Sequence, residues 1–181
     1  MSDAATAAEP GEDTTNVAIA CQGGGSHTAF TAGALTRLLE DWEANEYELV
    51  GISGTSGGAF NALGAWYALV TGTPDDAIAI LEGLWEDLAA SGVADAWTNQ
   101  AVRTWSRLRS SGMPLPEITP YQSPASEIGK ERIESVLREH IDFDAVPDLC
   151  GRDTPELVVG TVDVNGGEFE TFTNEAVTPE A

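Results

Sequence analysis

A serine set among glycines, Gly54-Thr55-Ser56-Gly57-Gly58, lies where the pattern of the chain changes from strand to helix, and it constrains the fold more than any other stretch. Residues 48–52 read as a short strand, and residues 60–70 place apolar side chains at helical spacing. A sharp strand-to-helix turn holds a serine hydroxyl clear of the backbone. Glycines on either side accept the unusual dihedrals and let a second group come close. The helix that follows turns its N-terminal amides toward the serine, where a developing oxyanion is stabilised. Small residues around a serine before a helix also make an ordinary capping turn, so the motif alone leaves both readings open.

A second glycine cluster precedes the first. Thr15–Cys21 reads as a buried strand, residues 22–26 (Gln-Gly-Gly-Gly-Ser) as a loop, and residues 30–39 as a helix with the stripe Phe30, Ala34, Leu35, Leu38 and Leu39. Two successive units of strand, glycine loop and helix predict a parallel sheet. Both loops then lie at the carboxyl edge of that sheet, which brings the amides of Gly24 and Gly25 near Ser56.

The chain of 181 residues has room for one domain or part of a larger one. It carries 30 acidic against 8 basic residues, a net charge of −22, and Lys130 is its single lysine. Such a charge opposes long-range attraction to nucleic acid or anionic lipid, so no nucleic-acid partner is expected. Acids scattered over helices and loops favour a solvated, halophilic surface over a dedicated acidic docking face. Cys21 and Cys150 are too few for a disulfide framework, and together with the absence of a signal peptide this predicts a reduced, cytoplasmic protein. Residues 1–14 read as a disordered acidic tail, and no apolar run reaches the ~18 residues that span a bilayer.

Further along, residues 41–47 read as a polar connection. Thr73, Pro74, Asp75 and Asp76 restart a helix with a cap, a proline and first-turn acids, and Ile78, Leu81, Leu84, Trp85 and Leu88 share one of its faces. Residues 97–126, with Arg103, Arg107 and Arg109 beside Trp97 and Trp105, read either as a surface helix and loop or as a lid that touches a membrane. Residues 127–140 are helix-like, with a stripe of Ile128, Ile133, Val136 and Leu137. A strand over residues 157–164, a turn at Asn165-Gly166-Gly167 and a partner strand over 169–172 follow. Asp163, at the end of the first of these strands, reads as a turn former. Thr178, Pro179 and Glu180 open a helix that has no room to continue, which predicts a domain truncated at its C-terminus, with an exposed sheet edge and self-association.

The run GGGSHTAFTAGALTRLLE followed by GISGTSGGAFNALGA resembles the patatin-like phospholipase family, and the similarity covers nearly everything after residue 15. The resemblance implies a three-layer α/β/α fold with a mainly parallel central sheet over residues 15–181, and hydrolysis of lipid acyl esters by a Ser-Asp dyad. It assigns Ser56 as nucleophile, Gly54, Gly57 and Gly58 as its elbow, and Gly23, Gly24 and Gly25 as the oxyanion loop. His27 fits a variant of that loop. Thr28 stands where the family has glycine, so a side chain there is expected to crowd the loop, and the loss of one oxyanion donor costs about 3 kcal/mol. Asp163 matches a strand-end position and not the family's catalytic aspartate, which has no counterpart in this sequence. A lipid or acyl-ester substrate is implied, with transient membrane contact, and no cofactor or metal is expected.

Three other readings stay beside this one. A Ser-His-Asp triad must draw on His27 or His140, the only histidines, and His140 reads as a solvated or capping residue at a helix end. A nucleotide-binding domain explains the first glycine loop, but Thr28 replaces the third glycine and residues 52–53 offer no acid for a ribose. An acyl-binding module without turnover is the third.

Overall fold

The computed structural model of the chain describes residues 14–90, 124–163 and 168–178. The acidic tail, most of the 97–126 stretch with its proposed lid, the turn at Asn165-Gly166-Gly167 and the helix start at Pro179 and Glu180 lie outside those residues.

Three strands run parallel. β1 (Thr15–Cys21) pairs with β2 (Tyr47–Thr55), β2 pairs with β3 (Glu156–Asp163), and β4 (Glu168–Thr173) joins β3 antiparallel, in the order β1-β2-β3-β4. Parallel neighbours need crossovers, and helices supply them. α1 (Thr28–Glu40) connects β1 to β2, while α2 (Gly57–Thr71), α3 (Pro74–Ala90), α4 (Pro124–His140) and the short α5 (Val146–Leu149) lie between β2 and β3. The chain has the α/β fold with a mainly parallel sheet that its pattern predicts. Of the expected α/β/α layering, the described residues define the sheet and the helical layer on the α2 side.

β2 is longer than its apolar pattern suggests, and it contains a bulge. Val17 pairs with Leu49 and Ala18 with Gly51, which leaves Val50 as an extra residue. An extra residue shifts side-chain parity by one, so Leu49, Ile52 and Gly54 all fall on the buried face although their spacing does not alternate. β1 is less buried than expected. It is an edge strand of the described sheet, with Val17, Ile19 and Cys21 against the core and Ala18 and Ala20 exposed.

α2 lies directly on β1, β2 and β3, and α3 packs over it. Its small residues Ala59, Ala62, Ala65 and Ala68 let the helix settle against its neighbours, and Trp66 is fully buried among them. Gly64 takes the side chain of Leu84 from α3, whose Cδ1 lies 3.0 Å from where a Cβ on the glycine would stand. Leu81 and Leu84 are fully buried, each contributing roughly 2 kcal/mol. Thr73 and Asp76 form the expected cap reciprocally: the Thr73 amide donates to Asp76 Oδ2 (2.9 Å) and the Asp76 amide to Thr73 Oγ1 (3.3 Å).

Four expectations change. α1 begins at Thr28, so its buried face is Thr28, Ala32, Leu35 and Leu39, while Ala34 is exposed and Phe30 turns outward at 84% exposure. The 41–47 connection is not simply polar: Trp42 is buried and meets Tyr47 edge to face at 5.4 Å. In α4, Val136 and Leu137 are buried as expected, whereas Ile133 is exposed toward a groove. His140 is neither solvated nor a cap, since its Nε2 lies 2.7 Å from Asp87 Oδ2 and ties α4 to α3.

Candidate active site

Ser56 stands between the last residue of β2 and the first of α2, with φ 55° and ψ −130°. This is a left-handed backbone that an L-residue adopts only when its surroundings impose it, at a cost of order 1–3 kcal/mol. The surroundings are the two glycine clusters. A Cβ on Gly54 would collide with the carbonyl oxygen of Gly58, and a Cβ on Gly58 with that of Cys21. A Cβ on Gly23 would stand 2.7 Å from the carbonyl oxygen of Thr55 and 3.3 Å from Ser56 Cβ. The parallel pairing of β1 with β2, which sets Cys21 beside Gly54, brings these backbones together.

Ser56 occupies the N-cap position of α2, yet its side chain makes no capping hydrogen bond and is exposed. The ordinary capping turn is thereby set aside. The amides of Gly57 and Gly58 open the helix and have no carbonyl four residues back to bond, so they stand at the positive end of α2 beside the serine.

The first glycine loop arrives next to this turn. Gly25 has φ 57°, and its carbonyl oxygen lies 2.9 Å from the place of a Cβ on Gly57. Residues Gly25–His27 form one 3-10 turn, closed by the His27 amide donating to the Gly24 carbonyl at 3.2 Å. Thr28 does not crowd the loop. It is 2% exposed, and its hydroxyl donates to the Gly25 carbonyl at 2.5 Å. His27 is exposed, and among the described residues no hydrogen bond joins Ser56 to a histidine or a carboxylate. Asp163 closes β3 opposite Glu168.

A groove of about 1010 Å³ runs from Ser56 between α2, α3, α4 and β3. Phe60 and Leu63 from α2, Trp85 and Leu88 from α3, and Leu137 and Val159 make its walls mostly apolar, with Lys130 and Glu134 among its polar lining. Cys21, below the turn, has its thiol pushed up to about 11 by burial, so it stays protonated and unreactive at neutral pH.

One residue of the site escaped the pattern of the sequence. Asn61 is fully buried, its Nδ2 donating to the Thr28 carbonyl (2.9 Å) and its Oδ1 accepting from Trp85 Nε1 (2.7 Å). A single polar residue inside the apolar run AFNALGAWYALV was the available signal.

A serine with a strained backbone at a strand-to-helix turn, a glycine loop beside it and an apolar groove thus lie together. The model of the patatin-like phospholipase family matches residues 19–173, and the chain belongs to that family. No curated protein and no solved structure matches it. Membership assigns hydrolase chemistry on lipids in general terms.

Proposed function

We propose that Ser56 is the nucleophile of a serine lipid acyl hydrolase of the phospholipase A or esterase type. The observation that carries this reading is the backbone of Ser56, held at φ 55° with an exposed side chain that caps nothing. Ser56 Oγ attacks the ester carbonyl carbon, and the oxyanion meets the amides of the Gly23-Gly24-Gly25 loop and of Gly57. The alcohol leaves with a proton, and water then releases the fatty acid and restores the serine. The acyl chain lies along the apolar groove, whose volume of about 1010 Å³ accepts a long chain.

The base of the expected Ser-Asp dyad is assigned to no residue of this chain. Loss of one member of a cooperating catalytic set costs about 10⁴ to 10⁶ in rate, so a Ser56 site without its base is inactive or nearly so. The groove, with no described base beside Ser56, also favours a second reading: acyl binding without turnover. The buried, protonated Cys21 fits a reducing, cytoplasmic setting, and the net charge of −22 fits high salt. Transient contact with a membrane delivers the substrate, and the edges of the four-stranded sheet offer a route to self-association.

The test is labelling of the chain in molar salt by a fluorophosphonate, with Ser56→Ala as control, alongside p-nitrophenyl ester turnover. Labelling that vanishes in Ser56→Ala supports the nucleophile. A folded sample that binds fatty acid but takes no label leaves the binding module as the function.

A further inference from the structure

Gly25, in the first glycine loop, is held from both sides. The peptide before it is fixed by the His27 amide on the Gly24 carbonyl (3.2 Å), and the peptide after it by the Thr28 hydroxyl on the Gly25 carbonyl (2.5 Å). Peptides are planar, so the held Gly24 carbonyl fixes the direction of the Gly25 N–H, and the held Gly25 carbonyl fixes that of the Ser26 N–H, two neighbouring amides of the loop. The same Thr28 hydroxyl occupies the place where a side chain on Gly57 would lie. One side chain therefore touches the glycine loop and the residue that follows Ser56.

Thr28 is itself anchored from behind. Its carbonyl accepts from Asn61 Nδ2, and Asn61 Oδ1 accepts from the indole of Trp85, whose ring forms part of the groove wall. Asn61 has no exposure and sits in a helix otherwise packed with alanine, leucine and tryptophan. An apolar residue of the same shape there costs little stability when its partners are replaced as well, whereas an unpaired amide is expensive. A fully satisfied polar link in that place specifies geometry.

We propose that Trp85, Asn61 and Thr28 form a positioning relay that sets the oxyanion loop at Gly25 and couples it to the acyl chain in the groove. The inference rests on Ser56 as nucleophile. An acyl chain lying against Trp85 steadies the indole, and through Asn61 and Thr28 it steadies the loop. Binding energy from the remote chain then appears in the rate of attack and not only in affinity.

The experiment measures the second-order rate of Ser56 labelling by an ethyl and by a dodecyl fluorophosphonate, on the full chain in molar salt, with thermal melts of every variant. Thr28→Val, which keeps the shape and removes the hydroxyl, is expected to slow both reagents roughly tenfold, part of the cost of a lost oxyanion donor. Thr28→Ser restores the rate. Trp85→Phe keeps an aromatic ring in the groove wall and removes the donor; it is expected to abolish most of the advantage of the dodecyl over the ethyl reagent, and to melt lower than the parent because Asn61 Oδ1 is left unpaired. If the parent labels at Ser56 and Thr28→Val labels equally fast, the relay is wrong while the nucleophile stands. If Thr28→Val does not fold, an unchanged chain-length ratio in Trp85→Phe overturns the relay. If the parent takes no label, or Ser56→Ala is labelled as well, the nucleophile itself fails and the relay goes with it.

Discussion

The carbonyl oxygen of Cys21, the last residue of β1, fills the space that a side chain on Gly58 would need. The end of one strand thus fixes the residue type in the first turn of a helix that follows another strand. Gly54 and Gly58 are in backbone contact in the same way. Neither backbone can yield without breaking the β1–β2 register or lifting α2 from the sheet. Gly58→Ala and Gly54→Ala are each expected to cost about 3 kcal/mol or more and to leave mostly insoluble chain. Chemical denaturation in molar salt checks this, and a variant that melts within a degree of the parent would sink the close-packed account of the elbow.

Ser56 carries backbone strain that serves its position and not the stability of the fold. Glycine adopts φ 55° without penalty, so Ser56→Gly is expected to raise stability by about 1 kcal/mol while abolishing fluorophosphonate labelling. Ser56→Ala abolishes labelling as well, with little gain in stability, because alanine keeps the strained Cβ. Melting temperatures of the three proteins, measured together, decide the point. A Ser56→Gly protein less stable than the alanine variant would show that the turn is not strained.

Much of this arrangement is legible in the chain itself, for physical reasons. Thr15–Cys21 and the helix after Thr73 announce themselves because apolar spacing and capping chemistry are local. The elbow is legible because close approach of backbones demands glycine. Val50 is another matter: a bulge is a property of two strands, and nothing in one strand's alternation reveals that its parity slips. Phe30 misleads because apolar residues flank both sides of α1, and the helix phase is set by Thr28, whose burial depends on α2. Asn61 and Trp85 are 24 residues apart and meet only through the α2–α3 packing, so their hydrogen bond is invisible in sequence.

Trp66 and Asn174 hold the start of β3. The indole of Trp66 donates to the Pro155 carbonyl at 2.7 Å, and Asn174, at φ 42°, accepts from the Leu157 amide at 2.7 Å through Oδ1. Asn174→Ala removes both the acceptor and a residue suited to a left-handed backbone. It is expected to cost about 2 kcal/mol, whereas Asn174→Gly, which keeps the backbone, costs less. Hydrogen exchange at the Leu157 amide reports the same loss locally. Equal stability of the alanine and glycine variants would remove the backbone part of the argument.

Cys21 gives stability a dependence on alkaline pH. Its thiol titrates near 9.0 when solvated and at about 11 when buried in the fold. Between those values the unfolded chain releases a proton that the folded chain keeps, so stability falls as pH rises. The contribution is intact below 9.0 and lost by about 11, at on the order of 1 kcal/mol per pH unit in between. Denaturation midpoints of the parent and Cys21→Ala, followed across this range, should converge as pH rises. Parallel curves would mean that the thiol is hydrated.

Salt should stabilise this protein more than it does most. Arg37 is already shared between Glu40 (3.0 Å) and Asp41 (2.6 Å), and Arg138 bonds Glu134 at 3.0 Å. With 8 cationic side chains against 30 acids, local pairing cannot neutralise the surface. The folded chain confines its charge of −22 in a smaller volume than the unfolded chain does, so self-repulsion opposes folding. Raising ionic strength from 0.01 to 1 M shortens the Debye length from about 30 Å to about 3 Å and removes most of that repulsion. The melting temperature is expected to climb by roughly 10 °C, equivalent to a few kcal/mol for a chain of this size. Sodium and potassium chloride should act alike, since screening depends on ionic strength. A melting temperature that stays flat across the titration would show that the acids are spaced widely enough to ignore one another, and it would withdraw the argument for a high-salt surface.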